Sequence, residues 1–499
     1  MEFSSFALLA LAILLLRSSQ RFITAWQRGH LPFPPGPSPY PLIENLRDLP
    51  MKLSWTIYAK WGIQYGSDIV HASALGHHIV IVNSVKAAVE LFEKRSYLYA
   101  DRPFFAMIEL MGWDFNAGGM RLGDKWREHR RVFQQHFRQD ACRNYRPIQM
   151  KSIHQLLQKL LSSPQEFREH IKTLAAATIM ATLYGYEVRS NDDHFVALAE
   201  TSARKFGDSV LPGTSSFVVN VFPILRYLPS WMPGGGFHSV AAECRQVTKD
   251  MREMPFNFAR QNMRDGLDSK SMVARLLEEN QAGASHNETV IKDVAAAAYA
   301  GGADTTAATL ASFFLAMATH PESQKKAQAE IDTVVGTHRF PEFEDRSSLP
   351  YVEALYREVM RWKPVVPLGL AHANTADDIY NGYFIPKGAT VISNIWAMTR
   401  DESIYPAPEQ FNPDRFFTTD GKLNDDDTIL TFGFGRRICP GRYIADASVW
   451  ATIVFVLSAF DIAKAKDAMG QEIDIAGDYT DGLIRCVSVV AKGYRYSGQ

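Results

Sequence analysis

The run Phe432-Gly433-Phe434-Gly435-Arg436-Arg437-Ile438-Cys439-Pro440-Gly441-Arg442 constrains this chain more than any other stretch, because it sets one cysteine on a glycine-rich loop leading into an apolar helix. Pro440 suits the first helical position, and the apolar residues from Tyr443 to Leu457 read as a buried helix. Cys439 is therefore expected at a helix N-terminus, where unpaired amides and the helix dipole favour a thiolate that can hold a metal. The glycines let backbone approach a flat ligand closely, and Arg437 can reach an anionic group beside it.

Three other stretches carry chemistry. The helix expected over Val290 to Ala318 contains Ala297-Ala298-Tyr299-Ala300-Gly301-Gly302-Ala303-Asp304-Thr305-Thr306. Adjacent glycines in mid-helix cost about 1 kcal/mol each relative to alanine. Removing side chains there opens room beside the helix and lets a threonine hydroxyl compete for backbone carbonyls, distorting it. Glu358 and Arg361 stand at i and i+3 on a helix expected over Val352 to Trp362, so they share a face. Trp126 and Arg130, at i and i+4 within Lys125 to Phe137, point one way and offer donors suited to a carboxylate.

The pattern Phe-x-x-Gly-x-Arg-x-Cys-x-Gly, met at Phe432, Gly435, Arg437, Cys439 and Gly441, resembles the haem-binding loop of the haem-thiolate monooxygenases, the cytochrome P450 family. The resemblance implies that Cys439 is the iron ligand of haem b and that Phe432 and Arg437 help to hold the ring. It places Asp304 and Thr305 over the iron, where an acid and a hydroxyl one residue apart can relay the protons that dioxygen cleavage consumes. Trp126-Arg127-Glu128-His129-Arg130 is similar to the family's Trp-x-x-x-Arg, whose two donors bind a haem propionate. His372 resembles a further propionate partner and reads equally as a hydrogen-bonded loop histidine. Glu358 and Arg361, together with Arg415 in Phe411-Asn412-Pro413-Asp414-Arg415-Phe416, match the family's fold-stabilising triad. An axial thiolate favours cleavage of the O–O bond, whereas a neutral histidine suits reversible oxygen binding.

A mainly α (α+β) fold is expected. Helices are read at the stretches above, over Glu322 to Val335 and from Arg442 to Leu457. A hairpin is read between Asp68 and Asn83, with short strands at Val365 to His372, Thr390 to Ile392 and near the C-terminus. At 499 residues, length alone suggests two or three domains. The resemblance implies one large catalytic unit over 46–499, after an anchor and basic linker (1–28) and a proline-rich hinge (29–45).

The apolar run Phe6 to Leu16, followed by Arg17, Arg21 and Arg28, reads as a membrane anchor rather than a cleaved signal, since no small-x-small site follows it. From Phe3 it makes a helix of roughly 20 Å, short of a ~30 Å hydrocarbon core. The flanking arginines are expected to stay cytosolic, which with the microsomal resemblance implies an endoplasmic reticulum membrane protein whose body faces the cytosol. Asn287-Glu288-Thr289 is a glycosylation sequon that should then stay unmodified. Glu44 stands where relatives commonly have glycine, which puts a local turn in doubt.

With 53 basic and 54 acidic residues, no global field favours nucleic acid. Cys142, Cys244, Cys439 and Cys486 form no CxxC pair, against a disulfide framework or a zinc site. No Gly-x-Gly-x-x-Gly fingerprint is present, so electrons are expected from NADPH through a partner reductase, with cytochrome b5 as a further donor. A basic face at Arg130, Arg131, Arg436 and Arg442 could dock that partner, though a solvated cluster explains any one of them. The apolar stretch Val210 to Phe237 reads equally as a core loop or, by resemblance, as a substrate entrance dipping into the membrane.

Resemblance also implies substrate contacts at Phe104 to Trp113, Ala298, Gly301, Val366 to Leu370 and Asp481 to Leu483, mostly apolar. Stretches such as Pro367-Leu368-Gly369-Leu370-Ala371-His372 look like the fungal microsomal branch, and a terpenoid or polyketide secondary metabolite is the expected substrate class. Two rivals are a reductase-independent haem-thiolate isomerase, dehydratase or peroxygenase, and a non-catalytic haem sensor. The intact Asp304-Thr305 pair argues against both.

Overall fold

The computed structural model describes residues 28–188, 193–210, 217–267, 270–283, 287–467 and 469–475, with Thr480 and Ile484. The expected anchor, the C-terminal strand, Cys486 and Asp481 to Leu483 lie outside the described residues. Helices of eleven residues or more are α1 (Ser54–Gln64), α2 (Asp124–Phe137), α3 (Arg146–Ser162), α4 (Phe167–Tyr184), α5 (His194–Val210), α6 (Phe237–Arg264), α7 (Glu288–Thr319), α8 (Pro321–Val334), α9 (Pro350–Trp362) and α10 (Arg442–Ala459). Among the described residues six strands accompany them: β1 (Ile69–Ala74), β2 (His77–Val82), β3 (His372–Ala373), β4 (Asp378–Tyr380), β5 (Tyr383–Ile385) and β6 (Thr390–Ser393). Packing divides the described residues into two compact units, one from 28–104, Leu368–Met398 and Gly433–Arg437, the other from the described parts of Phe105–Pro367, Thr399–Phe432 and 438–475.

In the first unit, β-branched runs build a four-stranded sheet ordered β1-β2-β6-β3. The expected hairpin is β1 and β2, antiparallel from Ile69 opposite Val82 to Ala74 opposite His77. β2 runs parallel to β6, and β3 pairs antiparallel with it. Tyr58 and Trp61 of α1 bury against Val70, Ala72 and Ile81 of the sheet. Of the strand expected over Val365 to His372, only β3 forms. Pro367 has no amide to donate and Gly369 takes φ +58°, so the preceding backbone turns instead of joining a ladder.

Glu44 adopts the left-handed conformation, φ +54°, that a glycine would take without strain. Its carboxylate offsets that cost by accepting from the Gly76 amide at 2.7 Å. Nearby, His71 Nε2 and His78 Nδ1 share a hydrogen bond of 2.9 Å beneath Phe33, whose ring stacks on His71 at 4.7 Å. Burial, then the neighbouring His78, pushes His71 down to about 3. The unfolded chain protonates this histidine near 6.5 while the folded one does not, so its contribution is intact above that value and declines as pH falls toward 3. Acidifying from pH 7 to 5 is expected to lower the unfolding free energy by roughly 2 kcal/mol through His71. Chemical denaturation at both pH values, with His71→Gln losing most of the difference, checks it.

The second unit is helical, with α7 lying along α4 in its interior. Leu160 of α3, Ile171 of α4, Phe313 and Phe314 of α7, Leu355 of α9 and Trp450 of α10 belong to one buried cluster. Truncating such a residue to alanine typically costs 3–5 kcal/mol for an aromatic. Pro321 and Pro350 open α8 and α9, where a missing amide costs nothing, and the Asn287 side chain caps α7 by accepting from the Thr289 amide at 2.9 Å. α10 starts at Arg442 as expected, but Pro440 is not its first residue: it lies in a preceding turn and Gly441 is the N-cap.

Candidate active site

The cysteine loop is closed by its own backbone in the second unit, the Cys439 amide donating to the Phe432 carbonyl at 2.9 Å. Cys439 thus precedes α10 by a turn rather than standing at its first residue. Burial pushes its thiol up from the ordinary value, and the Gly441 amide, Arg130 and Arg442 oppose that shift. The Gly441 amide and the two arginines favour the thiolate, as expected near a helix N-terminus, and desolvation opposes them. A metal cation would reverse the balance by displacing the proton.

Trp126 and Arg130 project from α2 of the same unit. Trp126 is buried, whereas Arg130 is partly buried and hydrogen-bonds to no described residue. Burial, with help from Arg442, lowers Arg130, while Cys439 acts oppositely. An acceptor-free guanidinium in such a place is suited to an anionic ligand group.

Along α7, the paired glycines have different causes. A Cβ on Gly302 would meet Ile179 of α4 at 3.2 Å, so Gly302 permits close helix packing. A Cβ on Gly301 would meet nothing within 4 Å, and Gly301 is exposed although the helix is largely buried on either side. α7 runs unbroken through this point, and Thr305 Oγ1 donates to the Gly301 carbonyl at 2.7 Å, the competition for a backbone carbonyl that was expected. Asp304 turns instead toward a cavity of about 20 Å³ lined by Lys172, Glu200, Tyr299 and small residues, room for one water. Burial, then Glu200, raises its carboxyl above the usual range, while Lys172 opposes the shift. Asp304 and Thr305 share no hydrogen bond among the described residues, so a relay between them needs a water.

The remaining expected ligands lie in the first unit. Gly435 takes φ +52° and a Cβ there would fall 2.1 Å from the Phe92 carbonyl, so only glycine fits. Phe92 stacks on Phe434 at 5.8 Å and packs on His372 at 4.5 Å. Arg437 donates through Nε to the Ala100 carbonyl at 2.6 Å, and His372 donates through Nδ1 to the Tyr99 carbonyl at 2.7 Å. Burial, then Arg102, holds His372 well below its ordinary value, with Arg437 adding to the effect. Arg102 is a residue that motif reading missed. It is buried, donates to the Leu370 and Ala371 carbonyls, and is itself lowered to about 9 by burial and by Arg437. Arg102, Arg437 and His372 thus form a buried cluster in which both arginines hold His372 down, while Asp101 partly offsets the penalty on Arg102. The only signal in the sequence was Asp101-Arg102-Pro103, an arginine locked before a proline.

The fold-stabilising triad is assembled as expected. Glu358 accepts from Arg361 Nε at 2.6 Å and Nη2 at 2.8 Å, and from Arg415 Nε at 3.3 Å.

The profile of the family described as "Cytochrome P450" matches residues 34–477. Curated relatives agree over most of the chain. "Cytochrome P450 monooxygenase ple1" of Rhodocybe pseudopiperita is 40% identical over 464 residues, 92% of this chain and 88% of its own. "Cytochrome P450 monooxygenase 208" of Postia placenta is 42% identical over 467 residues, covering 92% and 89%. "Cytochrome P450 monooxygenase claR" of Ampulloclitocybe clavipes is 38% identical over 455 residues, covering 90% and 84%. With the thiol loop and the glycine-faced helix in place, this chain belongs to the cytochrome P450 monooxygenases.

Proposed function

We propose that this enzyme is anchored in the endoplasmic reticulum membrane, takes electrons from NADPH through a separate reductase, and oxidises a hydrophobic secondary metabolite such as a terpenoid or polyketide. Family membership carries a haem cofactor, a redox partner, dioxygen and a substrate. The residues present fit that cofactor: one thiol flanked by two arginines, an open face at Gly301, and the Arg130 guanidinium, which hydrogen-bonds to no described residue. Cys439 would hold the iron, Phe432 would shape the loop, and Trp126, Arg130, His372 and Arg437 would hold the propionates. When bound, the haem supplies oxygen activation and oxidation of a C–H bond.

The chain's own residues supply protons and exclude water. Asp304, whose carboxyl is raised by burial and Glu200, is suited to donate, and Thr305 presents a hydroxyl beside Gly301 to pass a proton on. That raised carboxyl beside an intact threonine is the observation favouring a monooxygenase over an isomerase, dehydratase or peroxygenase. Ile224, Tyr227 and Trp231 are strongly exposed, Trp231 at 81%, which supports a membrane-dipping substrate entrance.

Purified holoenzyme mixed with reductase and hydrophobic metabolites tests the reading by NADPH consumption. Consumption coupled to product, and dependent on reductase, is expected; turnover without reductase would favour the rival. Thr305→Ala should retain haem and substrate binding while product per NADPH falls roughly tenfold or more and peroxide rises. Unchanged coupling would remove Thr305 from the relay.

A further inference from the structure

Within the second unit, His129 is fully buried on α2, between Trp126 and Arg130 in sequence, and no role described above uses it. Its Nδ1 lies 2.7 Å from the Lys125 carbonyl, and its Nε2 lies 3.4 Å from Asp293 Oδ2 on α7, eleven residues before Asp304. Asp293 is 1% exposed. Its other oxygen accepts from Arg252 Nε of α6 at 2.6 Å and is paired with Arg252 Nη2. The Arg252 guanidinium also covers Phe115 at 5.7 Å, and Phe115 stacks on Trp113 at the end of the stretch expected to face substrate. One buried carboxylate therefore joins the helix of the expected propionate donors, the helix of the expected proton relay, and α6.

We propose that His129 is a positioning residue, which with Asp293 and Arg252 holds Trp126 and Arg130 of α2 in register with Asp304 and Thr305 of α7. A buried carboxylate is tolerated only while its partners stay in place, so the bridge has one stable arrangement, and helix register follows from it. This inference rests on reading Trp126 and Arg130 as haem partners.

Haem transfer from full-length holoprotein to excess apomyoglobin, and peroxide formed per NADPH, test it. His129→Asn and Asp293→Asn should each speed haem loss about tenfold, in the range seen when residues orienting cofactor ligands are removed. Peroxide per NADPH should rise with them. The double variant should be no worse than the worse single, since both break one interaction. Arg252→Lys, which keeps a cation beside Asp293, should lose haem more slowly than Asp293→Asn, and is the variant to read should Asp293→Asn not accumulate.

Thr248→Ala, one turn from Arg252 on α6, removes a buried hydrogen bond to Ser202 of α5 and calibrates general destabilisation. Native haem retention in His129→Asn, multiplicative losses in the double variant, or equal haem loss in Thr248→Ala would overturn the proposal. If Trp126→Phe and Arg130→Ala also leave haem retention unchanged, the haem-partner reading fails first; if they alone speed it, only the bridge fails.

Discussion

Arg361→Ala is expected to abolish accumulation of folded, haem-loaded protein. Arg361 and Glu358 are fully buried on α9, and every guanidinium donor is used. Nε and one Nη2 proton go to Glu358, both Nη1 protons go to the Thr399 and Pro408 carbonyls at 2.9 Å, and the last reaches the Gln410 carbonyl at 3.3 Å. Truncation leaves the Glu358 carboxylate with Arg415 and the Asn412 amide as its partners, and strips the carbonyls of the buried Thr399 and Pro408 of a donor, while the Gln410 carbonyl keeps Arg415 Nη2 at 3.1 Å. Breaking a buried pair by removing one partner costs about 3–5 kcal/mol, and each unsatisfied group adds about 1–3 kcal/mol. A native domain has about 5–15 kcal/mol in total, so the loss consumes most of it. Arg361→Lys should fail nearly as badly, because one ammonium cannot satisfy five directions. Arg415→Ala should be milder, since its single contact to Glu358 is the longer one. Haem content per protein, read after purification, checks the order; normal loading in Arg361→Ala would refute the structural role.

That triad shows why some of this enzyme is legible in its sequence. Glu358 and Arg361 are one turn apart, Trp126 and Arg130 likewise, and Phe432 to Gly441 is one loop, so helical periodicity and turn chemistry bring them together unaided. The hairpin β1–β2 and the helices α2, α7, α8 and α9 were expected within two residues at their ends for the same reason. Features set by distant partners were not legible. His129 meets Asp293 across 164 residues, and Arg102 reaches carbonyls 268 and 269 residues away. Apolar content alone suggested a strand over Val365 to His372, but a ladder needs amides and extended backbone, which Pro367 and Gly369 withhold. The sequence placed Asp304 and Thr305 together as neighbours in a relay. Adjacent helical positions point about 100° apart, and so the acid faces Lys172 and Glu200 while the hydroxyl faces Gly301. The sign of the Cys439 shift was likewise hidden, because burial is a property of the folded chain.

Cys439→Ala is expected to have the largest effect on chemistry. Iron would take the place of the thiol's proton, and the sulfur would serve as its electron-donating ligand. Alanine offers iron nothing, and Arg130 and Arg442 lose the anion they flank. Monooxygenase turnover should fall to background, while Cys142→Ala and Cys244→Ala, at buried thiols elsewhere, should keep it. Haem trapped without a sulfur ligand should bind carbon monoxide with the spectrum of a nitrogen- or water-ligated iron.

The most direct measurement is therefore the carbon monoxide difference spectrum of the reduced Cys439→Ala protein beside the native one. The native enzyme is predicted to show the thiolate-type band and the variant to lack it; survival of that band in the variant would contradict a sulfur-to-iron bond from residue 439.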